Sequence, residues 1–189
     1  MTILPRGRAL GYTMVMPEDD KYSNTRGELL DQLAYMLGGR AAEEMVFHDP
    51  TTGASNDIEK ATAVARAMVT QYGMSDRIGA IRLGRGDSEP FLGMEMGANL
   101  SRDYSEQVAA VVDEEVKALI ANAHQEAFDV LEANRDVLDE LVRQLFEKET
   151  LDKRQVAAIF ESLRRWPKRP AWTGSDLRKP SEIPPVTPP

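Results

Sequence analysis

Between Ser105 and Asn134, Val108, Val112, Val116, Leu119, Ile120, Ala123, Ala127, Val130 and Leu131 recur at three- and four-residue spacings. That is the period of one helix face, so the segment is predicted to form a single long helix with a nearly unbroken apolar stripe. A helix of that kind has to bury its stripe against other elements, and this requirement shapes whatever the rest of the chain can do. Two earlier segments answer it. Leu29, Leu33, Met36, Leu37, Ala41, Met45 and Val46 repeat with the same period, which predicts a helix from Arg26 toward Phe47 with Thr25 as its cap. A second helix is predicted from Ser55 or Asn56 to Gly73, continuing the buried stripe through Val64, Ala67 and Met68. Gly38-Gly39 weakens the first of these helices locally and predicts close backbone approach by a neighbouring element.

Two shorter amphipathic helices are predicted over 134–147 and 150–163, with Asp136 and Thr150 as candidate caps. At the front, residues 9–16 (ALGYTMVM) mix apolar and β-branched residues between turn signals and are predicted to form a strand. The fold class is therefore mainly α: a helical bundle with a small strand or hairpin element at its N-terminal end. The organisation that follows is one domain over residues 1–165, with the strand element at about 2–24 and helices at about 25–163.

Residues 164–189 differ in kind. They hold six of the 23 Lys and Arg, two of the 31 Asp and Glu, seven of the 11 prolines and both tryptophans, Trp166 and Trp172. This segment carries +4 and the remainder −12, for a chain total of −8. Proline at this density rules out long helices and central strands, so residues 166–189 are expected to be a mobile, Pro-rich basic tail. A docking peptide anchored by the tryptophans is the sharper alternative.

Several function classes are excluded. With no cysteine there are no disulfides, thiolate metal sites or cysteine nucleophiles. The acidic balance argues against nucleic acid as a partner, which would need a basic face. No apolar run approaches the ~20 residues that span a bilayer, so any membrane link lies in segments outside this sequence. The sequence has no G-x-x-x-x-G-K-[ST], and neither G-x-S-x-G nor H-E-x-x-H occurs. The Arg85-Gly86-Asp87 triad reads as a solvated turn. Of the two histidines, His48 lies in a turn before Asp49-Pro50, and His124 lies within the long helix beside Ile120 and Phe128. Neither makes a metal site by itself, since zinc takes three or four protein ligands.

The stretch from Thr51 to Thr62, TTGASNDIEKAT, is more informative. It reads as a glycine turn feeding a helix N-terminus, with Asn56 as cap and Glu59 completing a capping box. Asp57 then sits in the first turn, where a carboxylate complements the helix dipole. That stretch resembles the corresponding part of the FtsH-type ATP-dependent zinc proteases. So do Gly38-Gly39-Arg40-Ala41-Ala42-Glu43-Glu44 before it and Gln71-Tyr72-Gly73-Met74-Ser75, Phe91-Leu92-Gly93, Tyr104-Ser105, Asn134-Arg135 and Glu147-Lys148-Glu149-Thr150-Leu151 after it. Order and spacing agree over roughly residues 2 to 163.

The resemblance implies that Asp57 is the third protein ligand to zinc. It also implies that Glu43 stands behind the ligands as a carboxylate orienting a ligating histidine. In such an enzyme zinc binds two histidines, the aspartate and a water, lowers that water's pKa and polarises the scissile carbonyl. The family's two zinc histidines and its general-base glutamate come from an H-E-x-x-H helix, and this sequence lacks that motif. ATP would be bound by a separate upstream domain. The complete protein would be a homo-hexamer that degrades protein substrates at the cytoplasmic face of a bacterial membrane. The chain by itself is expected to be inactive and to bind zinc weakly. The alternative is a non-catalytic helical scaffold derived from that domain, used for oligomerisation or partner binding.

Overall fold

The structure is a computed structural model that describes residues 1–4, 23–84 and 104–183. The strand expected over 9–16 and the Arg85-Gly86-Asp87 turn lie outside the described residues. Among the described residues five α-helices follow one another: α1 (Arg26–Phe47), α2 (Ser55–Thr70), α3 (Glu106–Ala133), α4 (Arg135–Lys148) and α5 (Lys153–Ile159). A 3₁₀ turn, Thr52–Ala54, leads into α2, and another, Phe160–Ser162, extends α5.

The predicted stripes meet. Leu29, Leu33 and Leu37 of α1 pack with Ala61, Ala65, Met68 and Val69 of α2 and with Val112, Val116 and Ala123 of α3. Leu33, Met68 and Val69 are fully enclosed. The small residues on α2 let two large-residue helices close over it, so the three helices form one core rather than two pairwise seams. Helices α4 and α5 attach at the C-terminal end of α3, where the buried Asn134 links the segments. Its Nδ2 donates to the Val130 carbonyl at 2.9 Å, and its Oδ1 accepts from the Arg164 backbone amide at 2.7 Å. Leu151, 1% exposed, is buried beside the start of the chain, where Thr2 and Thr150 form an isolated antiparallel bridge.

Helix starts follow their capping chemistry, with three corrections. Thr25 caps α1 through a full capping box, its hydroxyl accepting from the Glu28 amide and the Glu28 carboxylate accepting from the Thr25 amide. Ser105 caps α3. Asn56, by contrast, is not a cap: α2 begins one residue earlier at Ser55, and Ala54 precedes it with no side-chain cap. The 3₁₀ turn does the capping upstream, through Thr51. Asp152, not Thr150, caps α5, again with a capping box, here to Gln155. Asp136 lies inside the first turn of α4 and binds Arg164 instead. The close approach expected at Gly38-Gly39 is not seen among the described residues. Both glycines lie inside α1, and beyond the helix's own backbone no described atom comes within 4 Å of where their Cβ atoms would be.

After α2 the chain turns at Gly73, whose φ of +62° and 2.8 Å approach of a would-be Cβ to the Ala80 Cα exclude any other residue without strain. The segment that follows is stapled to α3: Ser75 Oγ donates to Glu115 Oε2 at 2.7 Å, and Arg77 donates to Glu114 at 2.6 Å.

Because Leu33 is enclosed by both partner helices, Leu33→Ala should remove about 2–5 kcal/mol of stability. Urea unfolding followed by far-UV circular dichroism would register this as a lower midpoint at unchanged slope.

Candidate metal centre

Helix α1 ends at His48, which takes the left-handed conformation (φ 57°) and turns the chain back along its own last turn. His48 Nδ1 lies 3.1 Å from the Glu44 carbonyl, which ties the ring to the helix end. The returning strand of chain is caught by Glu43. The Thr51 amide donates to Glu43 Oε2 at 2.9 Å, and the Thr51 hydroxyl donates to Glu43 Oε1 at 2.7 Å. The same hydroxyl oxygen accepts from the Gly53 amide at 3.1 Å and so starts the 3₁₀ turn. Ala54 is buried and anchors that turn, and α2 is launched directly from it.

Asp57 therefore sits in the first turn of a 16-residue helix, exposed, on a base fixed from α1. Its carboxylate faces solvent where the unsatisfied amides of the helix start favour negative charge. Of the two carboxylates implied by the resemblance, Glu43 thus holds, through Thr51, the turn that leads into the helix carrying Asp57. The Thr51 hydroxyl and then the Thr51 amide, both donating to Glu43, hold its carboxyl below the ordinary value of 4.5, against a smaller opposing effect of burial.

His124 belongs to a different cluster. Its Nε2 lies 3.0 Å from Glu44 Oε2 but lacks the alignment of a directed hydrogen bond, so the two groups are in close approach without one. Glu44 Oε1 meanwhile accepts from Arg40 Nε at 2.6 Å. Helix α1 thereby presents two adjacent glutamates with separate tasks: Glu43 holds the turn into α2, and Glu44 faces α3. The sequence reading missed Thr51. A threonine two residues before a glycine marks a small side-chain-to-backbone turn, but nothing local marks Glu43, eight positions upstream, as its partner.

The sequence profile of peptidase family M41 matches residues 1–159. The chain belongs to peptidase family M41. It is 70% identical over all 189 residues to the ATP-dependent zinc metalloprotease FtsH of Cutibacterium acnes, covering 26% of that protein. It is 48% identical over 189 residues to the protein of the same name from Mycobacterium leprae, covering 24% of it. The protein of that name from Rubrobacter xylanophilus is 48% identical over 161 residues, 85% of this chain, with 24% of the relative covered. The M41 chain thus spans about a quarter of the length of these relatives.

The relatives are named zinc proteases, so the donor set of this M41 chain can be tested against zinc. Among the described residues no group of three or more His, Cys, Asp or Glu side chains converges as a metal site would require. Asp57 offers one hard oxygen donor at a rigid helix start, and Glu43 is already engaged by Thr51. These residues do not fit a zinc ion unaided.

The Glu43–Thr51 link has a readable signature. Because its folded-state pKa is depressed, Glu43 contributes stability that is fully present above the unfolded glutamate value and is lost as pH falls through the lower folded value. Hydrogen exchange of the Thr51 amide should accelerate several-fold, relative to its intrinsic rate, as pH drops through that window. Glu43→Gln should give the fast exchange at neutral pH, with α1 protection unchanged.

Proposed function

We propose that this chain is the C-terminal part of the proteolytic module of a membrane-associated, ATP-dependent zinc metalloendopeptidase that degrades membrane and short-lived soluble proteins. The observation that carries the reading is the M41 match over residues 1–159, together with the likeness over all 189 residues to part of proteins named ATP-dependent zinc metalloprotease. In that module Asp57 supplies one carboxylate ligand to zinc, and two histidines come from an H-E-x-x-H helix that this sequence does not contain. The Thr51 turn supports this role for Asp57, since it fixes the helix start from which the ligand projects.

Glu43 acts behind the ligands. Each carboxylate oxygen can accept two hydrogen bonds, so Glu43 can hold Thr51 and orient a ligating histidine at the same time. ATP is bound by a separate upstream domain, and the complete protein works as a homo-hexamer at the inner face of a bacterial membrane. Its membrane anchor belongs to upstream segments; among the described residues no helix is long and apolar enough to cross a membrane.

The isolated 189-residue chain should carry no stoichiometric zinc by elemental mass spectrometry and should leave casein intact. Stoichiometric zinc with cleavage would overturn the assignment of the missing ligands. Joined to an upstream segment that supplies H-E-x-x-H, the chain should bind zinc. Asp57→Ala should then abolish that binding at unchanged helicity, and Glu43→Gln should weaken it by about 10–100-fold. Unchanged zinc occupancy in the Asp57 variant would sink its role as a ligand.

A further inference from the structure

The basic segment beyond α5 contacts four different parts of the body. Arg164 grips the α3–α4 junction: its guanidinium donates to both oxygens of Asp136, at 2.7 and 3.0 Å, and to the Ala133 carbonyl at 2.8 Å. Five residues on, Arg169 bridges two helices with one nitrogen. Its Nη2 donates to Asp31 of α1 at 2.7 Å and to Glu126 of α3 at 2.6 Å. Burial lowers the tendency of Arg169 to hold its proton, but hydrogen bonds to Glu126 and Asp31 more than offset this and leave its pKa raised.

Trp172 closes the run. Its indole Nε1 donates to Asp76 Oδ1 at 2.7 Å, and the guanidinium of Arg26 at the start of α1 lies 4.7 Å from its ring centroid. Arg26 also reaches the loop after α2, donating to the Met74 carbonyl at 3.2 Å. Beneath the run, Leu30 of α1 and Leu119 and Ala123 of α3 wall the same cleft as Arg169 to Trp172. The segment then turns on itself. Thr173 Oγ1 donates to the Arg178 carbonyl at 2.6 Å, and Gly174, at φ +74°, places its Cα side against the Trp172 ring, where a Cβ would sit 3.6 Å from the indole.

These contacts differ from the adsorption of a basic tail on an acidic body. Two carboxylates on separate helices lie within hydrogen-bond distance of one guanidinium nitrogen, so without Arg169 they would face each other across the groove as like charges. The fork needs a planar, multidonor cation, and the arginine is set between two prolines, Pro167 and Pro170, which restrict the backbone that presents it.

We propose that the groove between α1 and α3, with its apolar floor and its acidic rim of Asp31, Glu126 and Asp76, is a recognition site for the chain's own Arg164–Arg178 segment. Docked there, the segment is a strap that fastens α1, α3, the head of α4 and the loop after α2 to one another. The family profile stops at residue 159, short of the strap, and Glu43 and Asp57 take no part in it. The strap therefore stands or falls independently of the protease reading.

In the 189-residue chain, Trp166→Phe leaves Trp172 as the only tryptophan and tests the strap directly. Acrylamide should quench Trp172 several-fold less efficiently than it quenches N-acetyltryptophanamide. Arg169→Ala should raise that efficiency most of the way to the free value at unchanged far-UV circular dichroism, and Arg169→Lys should fall between. Lys168→Ala removes the same charge one residue away, at a side chain with no bridging contact, and should leave quenching as it was. Trp172 as accessible as the free amide, or unmoved by Arg169→Ala, would overturn the strap. Equal responses to Lys168→Ala and Arg169→Ala would reduce it to general charge attraction and overturn the recognition site.

Discussion

Everything placed in this molecule rests on the burial of three apolar stripes against one another. Helix α2 is narrow where it matters, with Ala61 and Ala65 fully enclosed, so the leucines of α1 and the valines of α3 reach the same core from two sides. That close packing fixes the direction of α1 and α2 together. The end of one and the start of the other emerge side by side, and the short return between them brings Glu43 within reach of Thr51. The capture of the α1–α2 turn by Glu43 is thus a consequence of core packing, delivered through one hydroxyl and one amide.

The helices were legible in the sequence because their signal is periodic and repeated. The run from Leu29 to Val46 and the run from Val108 to Leu131 leave no other element type that buries the same residues. Cap positions were less legible, since several polar residues compete at each boundary and the winner is decided by the turn before it. Asn56 is a strong cap by type, yet the 3₁₀ turn started by Thr51 had already set where α2 begins. Thr150 is drawn away by Thr2, which leaves Asp152 to cap α5. The close approach expected at Gly38-Gly39 has no counterpart among the described residues.

The site was legible only in part. Asp57 and Glu43 came from the resemblance of whole stretches; taken alone, a first-turn aspartate and a helical glutamate are ordinary surface residues. The contact of Glu43 with Thr51 is non-local and has no sequence signature. The C-terminal segment poses the same problem on a larger scale. Its proline content argues against long helices and central strands, and from that the sequence leads one to expect mobility. Over the described residues 164–183 the side chains meet partners far away in the chain: Arg169 with Asp31, Trp172 with Asp76. No window of local sequence contains both members of such a pair.

That separation bears on how the molecule assembles. The contact between Arg169 and Asp31 closes a loop of 138 residues around the helical body. The entropy of closing such a loop falls steeply once the intervening helices have condensed. The long-range ion pair is thus poorly placed to nucleate folding and well placed to complete it. The same contact is held by exposed and half-buried polar groups rather than by core burial, which sets it among the first to open in native-state fluctuations. The C-terminal residues would then be the last to dock on the way in and the first to leave on the way out, with the three-helix core intact in between.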